Sequence, residues 1–161
     1  MWQELAQILA VLITQYQKLK QLNEEKRGIL VLVKMQELEK LVRQEEDIIK
    51  AINQAEKQRQ ELLARMAAGG VRVTPDMRMD GVWSQCPERQ QRETLYKLHK
   101  MLGRLVAEVQ EASANNEILI SSALDAINFR LNQLGGSTVE PAYGSRGQEQ
   151  VSHIKNFDLE V

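Results

Sequence analysis

Two histidines, His99 and His153, and one cysteine, Cys86, are the side chains of this sequence best suited to moving protons, attacking carbonyls or holding metals near neutral pH. Their spacing assembles none of that chemistry. A zinc site needs several Cys or His ligands at short fixed intervals. A nucleophile needs a base beside it and a group to orient that base. Cys86 stands before Pro87 with no second cysteine anywhere in the chain, and His99 falls one position beyond Leu98 on a helical stripe. It is expected to face solvent or to be half-buried. Gly144, Ser145, Arg146 and Gly147 come nearest to a phosphate loop, but no strand precedes them and no helix pattern follows. No catalytic residue, metal ligand or cofactor is therefore assigned, and the chain is read as a non-enzyme.

The charged residues fall mostly on polar helix faces. Glu24 and Glu25, or Glu45, Glu46 and Asp47, fit solvated faces laced with pairs four residues apart. Glu45 and Arg59 differ, because both occupy core positions of a heptad pattern. Two readings stay open: side chains that snorkel to the edge of a narrow bundle, or polar residues that set helix register. Trp83 follows Val82 between helical blocks, with Met66, Met77, Met79 and Met101 near the same connection. Together they can cap one end of a bundle or form a pliable contact surface.

The elements that would carry these residues are helices. The prolines, Pro75, Pro87 and Pro141, leave residues 2–68 and 88–134 free of Pro, with one Gly in each block. Core-type positions step by four and three: Leu5, Leu9, Leu12, Tyr16 and Leu19 in one run, and positions 38, 41, 45, 48, 52, 55, 59, 62 and 66 in the next, apolar except at Glu45 and Arg59. A third run reads Leu95, Leu98, Leu102, Leu105, Val109 and Ala112. Asn116 then takes a core-type position and the stripe shifts to Ile120, Leu124, Ile127, Leu131 and Leu134, a stutter that relaxes supercoiling. A single helix over 2–68 would reach ~100 Å, so a hairpin with a turn near 33–35 is expected. Gly69 and Gly70 stop the second helix. Thr74 and Pro75 predict a short helix at about 75–82, and Gly135 and Gly136 end the third long helix.

The expected fold is all-α: an elongated, coiled-coil-like antiparallel three-helix bundle with a short extra helix in its second connection and a flexible C-terminal tail. The bundle covers residues 1–136, with helices at about 2–33, 36–67 and 88–134, and the tail covers 137–161. Composition agrees: 161 residues suit one domain with a tail, and aromatics at 4% argue against a β-rich core. A net charge of −1 argues against phosphate-neutralising nucleic-acid binding. The apolar run 8–13 is six residues long, too short for a membrane span or a signal h-region. No membrane insertion and a cytoplasmic location are therefore expected.

The second helix carries Leu38, Leu41, Glu45, Glu46, Ile48, Ile49, Arg59, Leu62 and Leu63. The third carries Asn115, Asn116, Leu119, Ile120, Ala123, Leu124, Ile127 and Asn128, and the tail carries the sequence Tyr143, Gly144, Ser145, Arg146, Gly147. In this order and spacing the combination resembles the FlgN-type flagellar export chaperones. The resemblance covers nearly the whole chain, apart from residues 69–87. It implies a cytoplasmic chaperone that binds C-terminal helical segments of hook–filament junction proteins of the FlgK and FlgL type, prevents their premature assembly and brings them to the flagellar export gate. Free, it would be a monomer or weak dimer.

An amphipathic client helix needs a groove of exposed apolar side chains. The third helix exceeds each hairpin helix by ~20 Å on these boundaries, so part of it is expected to lack cover. The groove is assigned to Asn116, Leu119, Ile120, Ala123, Leu124, Ile127 and Leu131, and gate docking to Tyr143. Ordinary core packing is the competing role for the groove residues. The alternative functions are a structural or oligomerising coiled-coil scaffold, and an export chaperone for another flagellar subunit.

Overall fold

The structure, a computed structural model, describes residues 1–32 and 34–135. These form four helices: α1 (Trp2–Val31), α2 (Met35–Ala68), α3 (Met79–Ser84) and α4 (Arg89–Gly135), with no strand among the described residues. The expected boundaries of the three long helices lie within two residues of these. The tail 137–161, with Tyr143 and His153, falls outside the described residues, as does Val33 in the first turn. The chain divides into two compact units, Met1–Asn116 and Glu117–Val161, with the division inside α4.

In the first unit, α1 supplies the widest apolar face. Leu5, Leu9, Leu12, Tyr16 and Leu19 are buried as the stripe predicts, with Ile8, Ile13 and Leu22 beside them. Burying each such side chain is worth about 1.5–3 kcal/mol. The breadth of the face follows from two partners. Lys26 pairs with Glu45 and Arg65 with Glu4, so the α1 numbers fall as the α2 numbers rise and the two helices run antiparallel. Lys20 pairs with Glu108, and Asn23 Nδ2 donates to Ser113 Oγ, so α1 and the first part of α4 run parallel.

The turn between α1 and α2 forms without Gly or Pro. The Leu32 N–H donates to Gly28 O and the Lys34 N–H to Ile29 O, each at 3.2 Å, which closes α1 before α2 starts at Met35. Gly69 and Gly70 end α2 in a Schellman arrangement: the Val71 N–H reaches Met66 O and the Gly70 N–H reaches Ala67 O, both at 3.0 Å. Gly70 sits at φ +87°, where a side chain is strained.

Two expectations need correction. The short helix lies at Met79–Ser84, not at 75–82. Thr74 O accepts from the Met77 N–H at 3.1 Å, so Pro75 occupies the second corner of a turn, a position that suits its fixed φ as well as a first helical turn does. The buried line of α4 also differs. Val106 is fully buried where Leu105 is half-buried, and the inward line runs 95, 99, 102, 106, 109, 113, 116. That line alternates by four and three up to Asn116. The apolar Leu98 and Leu105 drew the predicted stripe one position aside, because the inward places beside them hold His99 and a smaller Val.

Candidate functional site

Glu45 and Arg59, the charges at core positions of α2, each find a separate partner. Lys26 Nζ donates to Glu45 Oε2 at 2.6 Å, and both side chains are only 13% exposed. Arg59 forks onto the Glu56 carboxylate at 2.5 and 2.9 Å, and its Nη1 lies 3.7 Å from Met79 Sδ. Burial, and after it the charge of Glu56, push the Tyr16 hydroxyl up to about 12. These groups tie α2 to α1 and α3.

Around α3, Trp83 meets the Tyr96 ring edge-on at 5.7 Å and the His99 ring at 4.9 Å. Desolvation lowers the His99 pKa, and the Lys100 and Arg59 charges lower it further against the opposing pull of Asp80. Half-buried, as the stripe suggested, His99 serves the packing of this end of the unit in its neutral form. Cys86 is fully buried, with its carbonyl accepting two bonds from the Arg92 guanidinium at 2.7 and 3.1 Å. This local pairing leads the chain into α4, where the Arg92 N–H donates to Glu88 O.

The proposed groove residues separate by environment. Asn116 lies at the end of the first unit and is 3% exposed. Its Nδ2 donates to the Asn23 carbonyl at 2.9 Å and to Asn23 Oδ1 at 3.3 Å, while its own Oδ1 is buried without a partner among the described residues. It is part of a buried polar layer with Asn23 and Ser113, as its heptad position indicates, and not part of an exposed surface.

The other six belong to the second unit, whose described part is the stretch 117–135 of α4. Leu119, Ile120 and Ala123 are half-buried, whereas Leu124, Ile127 and Leu131 are 39%, 49% and 51% exposed. Ile120, Leu124, Ile127 and Leu131 step by four, three and four, which lines them up along one side of the helix. Two more apolar residues, Ile118 and Phe129, are each 63% exposed. Eleven positions apart, three helical turns, they line up on the opposite side. Sequence reasoning passed over them because they sit off the seven-residue repeat; the signal available was an apolar segment that is not confined to one face. Among the described residues, no helix is long and apolar enough to cross a membrane.

Comparison with protein families matches residues 1–150 to the FlgN family, described as FlgN protein. The chain belongs to the FlgN family. No curated protein and no solved structure matches it. The FlgN family is one of flagellar export chaperones, a chaperone family and not an enzyme family, and its partners are flagellar proteins. Over residues 118–131, α4 leaves five large apolar side chains exposed.

Proposed function

We propose that this FlgN-family chain is a cytoplasmic chaperone, built on a three-helix bundle, for hook–filament junction proteins of the FlgK and FlgL type. It holds their C-terminal helical segments along the distal part of α4 and delivers them to the flagellar export gate. The observation that carries the reading is the exposed line of Leu124, Ile127 and Leu131 on a regular helix. An amphipathic client helix is recognised by side chains at this spacing, with apolar burial at roughly 25 cal/mol per Å² as the driving force, less the cost of ordering the client. Ile120 opens the same line with Leu119 and Ala123 half-buried to one side of it, and Ile118 and Phe129 offer a second contact on the other side. In this reading Tyr143 in the tail contacts the export gate.

The test is a pull-down of the full-length chain with the C-terminal segments of each hook-associated protein. Retention of one or both at micromolar concentration is expected. Failure to hold either removes the FlgK and FlgL assignment and leaves another flagellar subunit as client. Tight self-association without any client, seen by light scattering, would favour the scaffold alternative.

A further inference from the structure

The outward side of α4 in the first unit carries an uncompensated positive stripe. Arg89 pairs with Glu93 at 2.9 Å, and Glu108 pairs with Lys20 at 2.8 Å. Between these pairs stand Lys97, Lys100 and Arg104, all exposed, and none has a carboxylate partner among the described residues. Spaced by three and four, they point away from the buried line of Leu95, Leu102, Val106 and Val109 and span about 10 Å along the helix. Tyr96 flanks the stripe on the side of Trp83, and Met101 flanks it on the other side; they are 47% and 50% exposed. Lys100 Nζ lies 5.9 Å from the centre of the Tyr96 ring.

A helix surface normally balances such a run with acidic neighbours, as this chain does in its ten described ion pairs. Here the nearest acidic groups on α4 are already engaged. Arg104 near an exposed aromatic ring and a methionine matches the composition of protein interfaces, which favour aromatic residues, Met and Arg. The stripe does not match a polyanion groove: three cations on a chain of net charge −1 release few counterions.

We propose that this face docks an acidic segment of a partner protein, with carboxylates over Lys97, Lys100 and Arg104 and apolar side chains against Tyr96 and Met101. The surface is carried by the first unit, whereas the apolar line of the proposed client site is carried by the second. It therefore predicts a second binding function that does not depend on the client assignment.

Trp83 supplies the readout, because Trp2 and Trp83 are the two tryptophans and Trp2→Phe leaves Trp83 as the reporter beside Tyr96. The full-length W2F protein is titrated with a synthetic helical peptide bearing Glu three and four residues apart around a leucine. The same peptide with Lys for Glu, anionic phospholipid vesicles and a single-stranded oligonucleotide are run in parallel. A saturable change in emission with the Glu peptide alone, weakened by salt, is expected. Lys97→Glu, Lys100→Glu and Arg104→Glu together should weaken it at least about tenfold with an unchanged melting temperature. If that variant fails to fold, the corresponding triple Gln variant should show a smaller loss. No saturable change, or binding indifferent to the substitutions, overturns the proposal. Equal binding of vesicles or oligonucleotide would assign the stripe to phosphate. Salt-sensitive self-association abolished by the reversal would assign it to a second copy of the chain.

Discussion

Among the described residues, Asn23 and Asn116 are the two buried polar residues in an otherwise apolar core. An amide in such a place costs stability unless its hydrogen bonds are made. Asn116 spends both donors on Asn23 and leaves Oδ1 unpaired, while Asn23 spends its own donor on Ser113. The pair is therefore weakly stabilising at best, but it can form in one register only, since a shift of α4 by one turn would separate the two amides. This is how a buried asparagine specifies alignment in coiled coils. Asn116→Ala should cost about 1–3 kcal/mol in a denaturant titration, because Asn23 loses its donors and a small cavity opens. Asn23→Leu with Asn116→Leu should recover that loss or exceed wild-type stability. A double variant as unstable as the single would show that the amides contribute more than alignment. The heptad place of Asn116 already marked it as core; the motif around it pointed to the groove, and the structure sides with the heptad.

At the scale of elements, the long helices were legible because their cause is local. Periodic Leu and Ile, two blocks without Pro and the paired glycines after α2 act over a few residues each, and the boundaries followed. The positions that were not legible depend on packing. Thr74 and Pro75 suit a turn and a helix start equally, and the burial of Val73, Met79 and Val82 decides that α3 begins later. Likewise Val106 displaces Leu105 from the core because the inward line is set by how α4 lies on α1, not by which neighbour is larger.

The distal part of α4 posed the opposite problem: its periodicity announced an apolar line but not whether that line is covered. The exposure of Leu124, Ile127 and Leu131 is what turns it into a candidate contact surface. Leu124→Asp or Ile127→Asp should each lower affinity for the client segment by at least ~100-fold, because about 1.5–3 kcal/mol of side-chain burial is lost and a carboxylate is placed against an apolar client. Far-UV circular dichroism should hardly change, since one exposed Asp costs a helix about 0.7 kcal/mol or less. Loss of helical signal in both variants would mean that these side chains stabilise the fold and do not wait for a partner.

Across the whole molecule, 21 basic and 22 acidic residues leave almost no net charge to steer a distant partner. Recognition as proposed is then local: an apolar line on one segment, a short positive stripe on another. The last 25 residues differ from the long helices in having little periodic apolar pattern, with Glu140, Glu149, Asp158 and Glu160 set against Arg146 and Lys155. If holding the client and engaging the export machinery are separate tasks, they belong to separate parts of the chain, and removal of 137–161 should divide them. The truncated chain should retain client affinity within about threefold, because all of the exposed apolar line lies before residue 132 and each further tenfold would require ~1.4 kcal/mol of lost contact. Export of the client, followed by its appearance outside the cell, should fall to background. Tyr143→Ala in the full chain should reproduce most of that export defect while leaving affinity unchanged, as a single aromatic anchor would. A truncated chain that melts earlier or loses its client would instead assign the tail to the stability of the folded chain. Export that continues at the normal level would take gate docking away from Tyr143 and return it to the helices.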